Sequence, residues 1–206
     1  MKIAQSGCPS PDRHQLSSLL ADRRTRRILD ALETGPATAR DLAVALAADD
    51  LDCARSAVSA DDREQYRRTL EYNYLSRLTD AGLLEQAPDG LIRRDPTALD
   101  SYEIQFPALD EPDHPAWPAA AAVVGRAYRY PLLSLVADEG DVSLPCLADR
   151  LLQTPSHAVA EAMTNQRALA VALHHVDLPK LAAVDLLTYD TETRTVAATP
   201  ETETVL

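Results

Sequence analysis

Between positions 63 and 81 the chain reads REQYRRTLEYNYLSRLTDA. On a helical wheel of about 100° per residue, Tyr66, Leu70, Tyr74, Leu75, Leu78 and Ala81 share one half. The opposite half holds Gln65, Arg68, Thr69, Tyr72, Asn73 and Ser76. These residue types can read double-stranded DNA. Arginine bonds guanine through two parallel hydrogen bonds, glutamine and asparagine bond adenine, and threonine meets the thymine methyl. The stripe contains no acid in a chain with 32 acidic residues. Three further arginines are candidates for phosphate. Arg40 falls at the start of the preceding helix, where free backbone N–H groups favour anions, and Arg93 and Arg94 follow a turn. The run Arg23, Arg24, Arg26, Arg27 either holds phosphate or pairs with Asp22, Asp30 and neighbouring acids. The alternative for the whole stripe is an ordinary polar helix face or a polar protein interface.

Other chemistry is sparse. His174 and His175 are adjacent, so on a helix their side chains diverge by about 100° and do not share one ion easily. Asp177, three residues after His174, leaves room for one weak pair of ligands, and a structural role for these histidines is the stronger expectation. Cys8, Cys53 and Cys146 are far apart and form no CxxC pair, which argues against a zinc site or disulfide framework. The sequence has no glycine-rich phosphate loop, nucleophile elbow or HExxH. No enzyme activity, cofactor or metal is expected.

The elements that position the stripe follow from periodicity and punctuation. A helix is expected over about 15–33, stopped by Gly35. Thr38 and Asp41 form an acidic variant of a capping box before a helix over about 39–48. A polar stretch, DDLDCARSAVSA, forms a loop or short helix. Asp61 and Glu64 are the expected capping pair for a third helix over about 62–81, with Gly82 just past its end. LLEQAPDGLIRR then reads as two short strands around a Pro-Asp-Gly turn. Helix, helix, helix, hairpin is the order of a winged helix. Residues 96–118 hold five of the 14 prolines and many acids, as a linker would.

The pattern then repeats. RRILDALETGPATARDLAVAL matches RYPLLSLVADEGDVSLPCLADRLL, with an insertion before the glycine. Gly35 falls on Gly140, Thr38 on Ser143, and Leu42-Ala43 on Leu147-Ala148. YLSRLTDAGLLE matches DLPKLAAVDLLT, and TYDTETRTVAAT supplies a second hairpin. The expected fold is mainly α with small β-hairpin wings, in two tandem winged helix-turn-helix units. The units span 13–95 and 119–206, and 96–118 links them. In the second unit the wheel positions of the polar stripe become Ala168, Val171, Ala172, His175, Val176 and Pro179. An exposed face of that kind marks a protein interface rather than a DNA surface. The segment AAAVVGRAY could add a helix presenting Ala121, Val123 and Val124 to the same interface. Pro179 should disturb its helix, because it cannot donate to the carbonyl four residues back.

Leu173-His174-His175-Val176-Asp177-Leu178-Pro179-Lys180-Leu181, followed by Leu187 and Tyr189-Asp190, resembles the L-x-H-x-H-L-P-K-L core of an uncharacterised haloarchaeal winged-helix domain family. Asp177 stands where the second histidine would be, and Asp185 where glycine is common. The first unit keeps Leu75, Leu78 and Ala81-Gly82 without the histidines and proline. The resemblance covers about 20–94 and 129–198 and implies a regulator. The ending of the first unit's third helix also resembles ArsR-type repressors.

Composition agrees with that source. The net charge is −12, with 18 arginines and only two lysines, Lys2 and Lys180. Such acidity speaks to solubility and association rather than fold. Residues 13–94 carry 13 basic and 14 acidic side chains, whereas residues 95–206 carry 6 and 17. No apolar run approaches the roughly 20 residues of a membrane span, and MKIAQSGCPSPDRH has no apolar leader, so a cytoplasmic location is expected. These readings converge on a DNA-binding transcriptional regulator of a halophilic archaeon. The first unit would read double-stranded DNA, and the second would assemble a homodimer. The alternative is an interaction module that binds another regulatory protein and does not touch DNA.

Overall fold

The computed structural model describes residues 12–100, 102, 104–108, 110–154 and 165–206. Cys8 lies outside the described residues, as do three positions of the 96–118 segment. Two compact units divide the chain. One comprises Met1–Gln15, Asp22–Ser101 and Ala108–Pro112; the other comprises Leu16–Ala21, Tyr102–Pro107 and Asp113–Leu206. The 96–118 segment is therefore shared out between the units.

The expected long helix is broken in two, α1 (Arg13–Ala21), most of which belongs to the second unit, and α2 (Arg23–Ala31) in the first. The break is at Asp22, which is extended and accepts a hydrogen bond from the backbone N–H of Arg24. An aspartate cap satisfies an orphan donor and so can start a new helix inside an apolar-periodic stretch. Strand β1 (Ala37–Thr38) follows, a third sheet strand that the periodicity does not announce. Thr38 caps α3 (Ala39–Asp50) by accepting from the Asp41 N–H, as its spacing predicts. The polar stretch contains a short 3₁₀ turn, Arg55–Ala57. The cap of α4 (Ala60–Leu70) is Ser59, not Asp61: the Asp62 N–H donates to the serine oxygen at 3.1 Å. Glu64 is drawn instead to arginines on its own helix.

The third helix is not uniform. After α4, residues Glu71–Leu75 form a π turn, and α5 (Ser76–Asp80) completes the helix. The cause lies in leucine spacing. Leu70 and Leu75 are both buried, yet five residues on a regular α-helix separate side chains by about 140°. A wider turn brings both to the core. Gly82 has a left-handed φ of 67°, and the Leu83 N–H reaches back to the Leu78 carbonyl, closing the helix end as expected. Strands β2 (Leu84–Gln86) and β3 (Leu91–Arg94) form the hairpin, and the sheet order is β1-β3-β2, all antiparallel.

The second unit repeats this plan with helices α6 (Trp117–Val124), α7 (Arg129–Glu139), α8 (Leu144–Gln153), α9 (Gln166–Ala172) and α10 (Leu178–Ala182). Its sheet contains β4 (Val142–Ser143), β5 (Leu187–Asp190) and β6 (Thr195–Ala198) in the order β4-β6-β5. The molecule is thus mainly helical, with a small three-stranded antiparallel sheet in each of two repeated halves. A π turn, Leu173–Asp177, again precedes the last helical piece, and again two buried leucines, Leu173 and Leu178, stand five apart. Pro179 follows that π turn, in helical backbone that continues through Asp177 and Leu178 into α10. The first unit makes the same π turn without a proline. Asp185, aligned with Gly82, takes up a left-handed φ of 59° itself. Trp117 and Leu132, Leu133, Leu147, Leu169, Leu173 and Leu181 are buried in this half. Among the described residues no helix is long and apolar enough to cross a membrane.

Candidate functional site

The third helix of the first unit presents its polar stripe outward. Gln65, Arg68, Tyr72, Asn73 and Ser76 are exposed, and Thr69 is half-buried with its hydroxyl on the Gln65 carbonyl. Tyr72 is 83% exposed, the most exposed large apolar side chain described. The stripe is not isolated from acids, however. Arg68 donates to Glu64 at 2.8 Å, and Arg67 is held between Glu64 and Glu71. Glu64 lies four residues before Arg68 and three before Arg67, the spacings at which helical side chains meet. Hydrogen bonds from Arg67 and Arg68 hold the Glu64 carboxyl down at about 2.

The other candidate arginines separate into tied and open. Arg94 is committed to Glu33 at 2.5 Å and is mostly covered. Arg24 and Arg27 converge on Asp50, with Asp49 also pairing Arg27 at 2.6 Å. Arg26 is buried and donates to the Pro112 carbonyl. Three members of the arginine run, Arg24, Arg26 and Arg27, are therefore tied within the chain. Arg40 and Arg93 are exposed. Arg93 stands across the hairpin from Glu85.

The equivalent face in the second unit is open and apolar, as its sequence predicts. Val171 is 53% exposed and Val176 44%, His175 is exposed, and Ala168 and Ala172 are partly covered. The helix expected to extend this face does not. Ala121, Val123 and Val124 lie on α6 and are buried, because α6 has apolar residues on every side and is packed as a core helix. His174 turns to the Tyr189 hydroxyl on β5 and to the His175 ring edge. Among the described residues no group of three metal-ligating side chains exists.

A fully buried carboxylate lies elsewhere, at Asp177 in the second π turn. Its Oδ1 accepts from Arg129 Nε at 2.9 Å and pairs with Nη2 at 2.7 Å; its Oδ2 accepts from the Tyr128 hydroxyl at 2.7 Å. Arg129 is itself buried, with Nη1 donating to the Ala122 carbonyl. Gly125 leaves the space: a Cβ there would come within 3.2 Å of that guanidinium and 3.0 Å of Ser17. Arg126 lies at the edge, its Nε 3.4 Å from Asp177 and its side chain 40% exposed. Burial, the hydrogen bond to Asp177 and that carboxylate's charge push Tyr128 up to about 12.

A related joint exists in the first unit. Asp22 caps α2 as Tyr128 precedes α7, and Tyr74 occupies the position of Asp177. Burial, then the charge of Asp22 and a hydrogen bond to it, raise Tyr74. The motif pairs a tyrosine with a carboxylate in both units, with the two exchanged between helix start and π turn. The signal was present in the alignment of Tyr74 with Asp177, but pairing partners about 50 residues apart is not a local inference.

Both units thus have the helix, strand, helix, helix, hairpin arrangement of winged-helix-like domains, joined in tandem. The chain belongs to the family described as Domain of unknown function (DUF7344), whose model matches it twice, over residues 17–92 and 123–197. No curated protein and no solved structure matches the chain.

Proposed function

We propose that the protein is a DNA-binding transcriptional regulator. In this reading the first unit reads duplex DNA through α4, its π turn and α5, and copies assemble through the second unit. One observation carries it: Gln65, Arg68, Tyr72, Asn73 and Ser76 are exposed, with Thr69 half-buried among them, on the helix that a winged helix lays in the major groove. Arg40 and Arg93 would hold phosphates, which position a protein without specifying sequence. The Arg68–Glu64 pair is solvent-exposed, so a guanine edge can replace Glu64 at little cost. Arg94 drops out, being tied to Glu33. In the second unit the exposed Val171 and Val176, with Ala168, Ala172 and His175, fit a protein-facing role.

The test is selection of bound fragments from a duplex library, from low to molar KCl, by the wild type, Arg68→Ala and Asn73→Ala. The wild type should enrich a shared site, and each variant should lose about 1–3 kcal/mol of discrimination at its base pair. A second reading has the protein bind another regulatory protein without DNA. It is favoured by the grip of Glu64 and Glu71 on Arg67 and Arg68, which makes the face nearly neutral. Absence of any enriched site across the salt range would favour that reading.

A further inference from the structure

Arg67 and Arg68 are neighbours on one helix, yet their guanidinium groups are held in different ways. Every nitrogen of Arg67 is spent. Its Nε donates to Glu64 at 3.0 Å and its Nη2 at 2.9 Å, while its Nη1 donates to both oxygens of Glu71 at 2.7 Å. Arg68 is held at one nitrogen only: its Nε donates to Glu64 Oε1 at 2.8 Å. No other side-chain bond or ion pair engages Arg68 among the described residues, and its side chain is 66% exposed. Its Nη1 and Nη2 therefore form a free outer edge. Glu64 in turn is fixed by three bonds from two arginines, which keep its carboxyl ionised.

We propose that Glu64 is a positioning residue that makes Arg68 selective for a guanine edge over phosphate. The proposal rests on duplex reading by the first unit. Geometry supplies the aim. A carboxylate on Nε restrains the planar guanidinium, and the two Nη groups can meet O6 and N7 of guanine. Guanine takes that edge with the Glu64 bond intact, so no exchange of partners is required. Charge supplies the selectivity. An arginine alone is drawn to any phosphate along the backbone. The cluster of Glu64, Arg67, Arg68 and Glu71 is neutral overall and gains little from an anion, whereas the free N–H groups still bond the neutral acceptors of a base. An exposed ion pair by itself holds a side chain weakly. Here the Glu64 carboxylate is also tied to Arg67, and Arg67 to Glu71, so four side chains together set where the acceptor stands. The two glutamates thus withdraw Arg67 from phosphate and aim Arg68.

The test compares Glu64→Ala with Glu71→Ala, which removes the same charge from the helix at a side chain that pairs only with Arg67. Each full-length protein is used to select from a random-sequence duplex library and is titrated with the unselected library from low to molar KCl. Both variants should bind the unselected library about tenfold more tightly than the wild type, with a salt slope steeper by about one, as one more arginine meets phosphate. Only Glu64→Ala should lose the preference for guanine at the enriched position, by about tenfold or more. Glu64→Gln, which keeps an acceptor oxygen without the charge, should retain part of that preference, and it carries the test if circular dichroism shows Glu64→Ala to be unfolded. Enrichment of the same guanine by Glu64→Ala as strongly as by the wild type overturns the proposal and leaves DNA reading intact. Equal loss in Glu71→Ala does the same, because charge alone would then explain it. A wild type that enriches no site and binds no duplex at any salt concentration removes duplex reading, and this proposal with it.

Discussion

The joints between helix start and π turn in the two units are closed by the same pair of residue types with opposite charge balance. In the first unit Arg24 and Arg27 meet Asp22, Asp49 and Asp50 on and beside α2, and Tyr74 sits among them. The Asp50 carboxylate gathers Arg24, Arg27 and the Tyr66 hydroxyl; burial opposes its ionisation, but the bonds from Tyr66 and Arg24 hold it below the usual range. In the second unit Arg126 and Arg129 both pair with one carboxylate, and that carboxylate is fully buried. The backbone plan requires that something polar close the joint, since the π turn brings a polar residue inward beside the leucines. It does not dictate which helix carries the acid. The second unit sets two arginines on one buried carboxylate, while in the first Arg24 and Arg27 share two half-open carboxylates.

The largest expected effect breaks this comparison at the carboxylate. Asp177→Ala leaves the buried Arg129 unpaired and should destabilise the second unit by about 3–5 kcal/mol. Asp22→Ala removes a helix cap and should cost the first unit about 0.5–2 kcal/mol. Urea unfolding followed by Trp117 fluorescence reports the second unit, and amide hydrogen exchange reports the first. Equal losses would mean that burial does not distinguish the two joints.

The second prediction sharpens the comparison through tyrosine ionisation. Tyr128, raised to about 12, should be the late component of the alkaline absorbance titration, and Tyr128→Phe should delete that component. The sign follows from the neutral form being favoured in the folded state. The contribution of Tyr128 to stability is complete below the ordinary tyrosine value near 10. It is lost as pH rises through about 12. Stability of Tyr128→Phe should therefore fall less steeply than that of the wild type over this window. Parallel curves would show that the hydroxyl's proton is not coupled to folding.

The smallest effect concerns the residue that ends each third helix. Gly82 and Asp185 both hold a left-handed φ. Gly82→Ala should cost about 1–2 kcal/mol, the penalty of a Cβ in that region. Asp185→Gly should change stability by less than about 1 kcal/mol, because aspartate tolerates the conformation and glycine adds unfolded-state entropy. Melting temperatures of the two single variants check this, and a large gain for Asp185→Gly would show that aspartate is strained there.

Much of this architecture was legible in local sequence. The repeat, the Thr38 cap, the glycine stop at Gly82, both hairpins and the apolar exposure of Val171 and Val176 depend on spacing and residue type within a few positions. The polar stripe was legible too, because a helix face is a property of one segment. The π turn left a trace in the five-residue spacing of Leu70 and Leu75, and of Leu173 and Leu178, which a uniform wheel does not register. What tertiary structure alone decided is which charges are spent internally. Arg24, Arg27 and Arg94 are paired with Asp49, Asp50 and Glu33, and Ala121, Val123 and Val124 are taken into a core. Asp177 reads in sequence as a histidine's replacement beside His174. In the fold it is the buried partner of Arg129 and Tyr128, nearly 50 residues earlier. Local pattern sets where a chain turns and which face is apolar. Pairing between distant charges depends on which helices come together, and a buried carboxylate persists only where packing has already placed its cation.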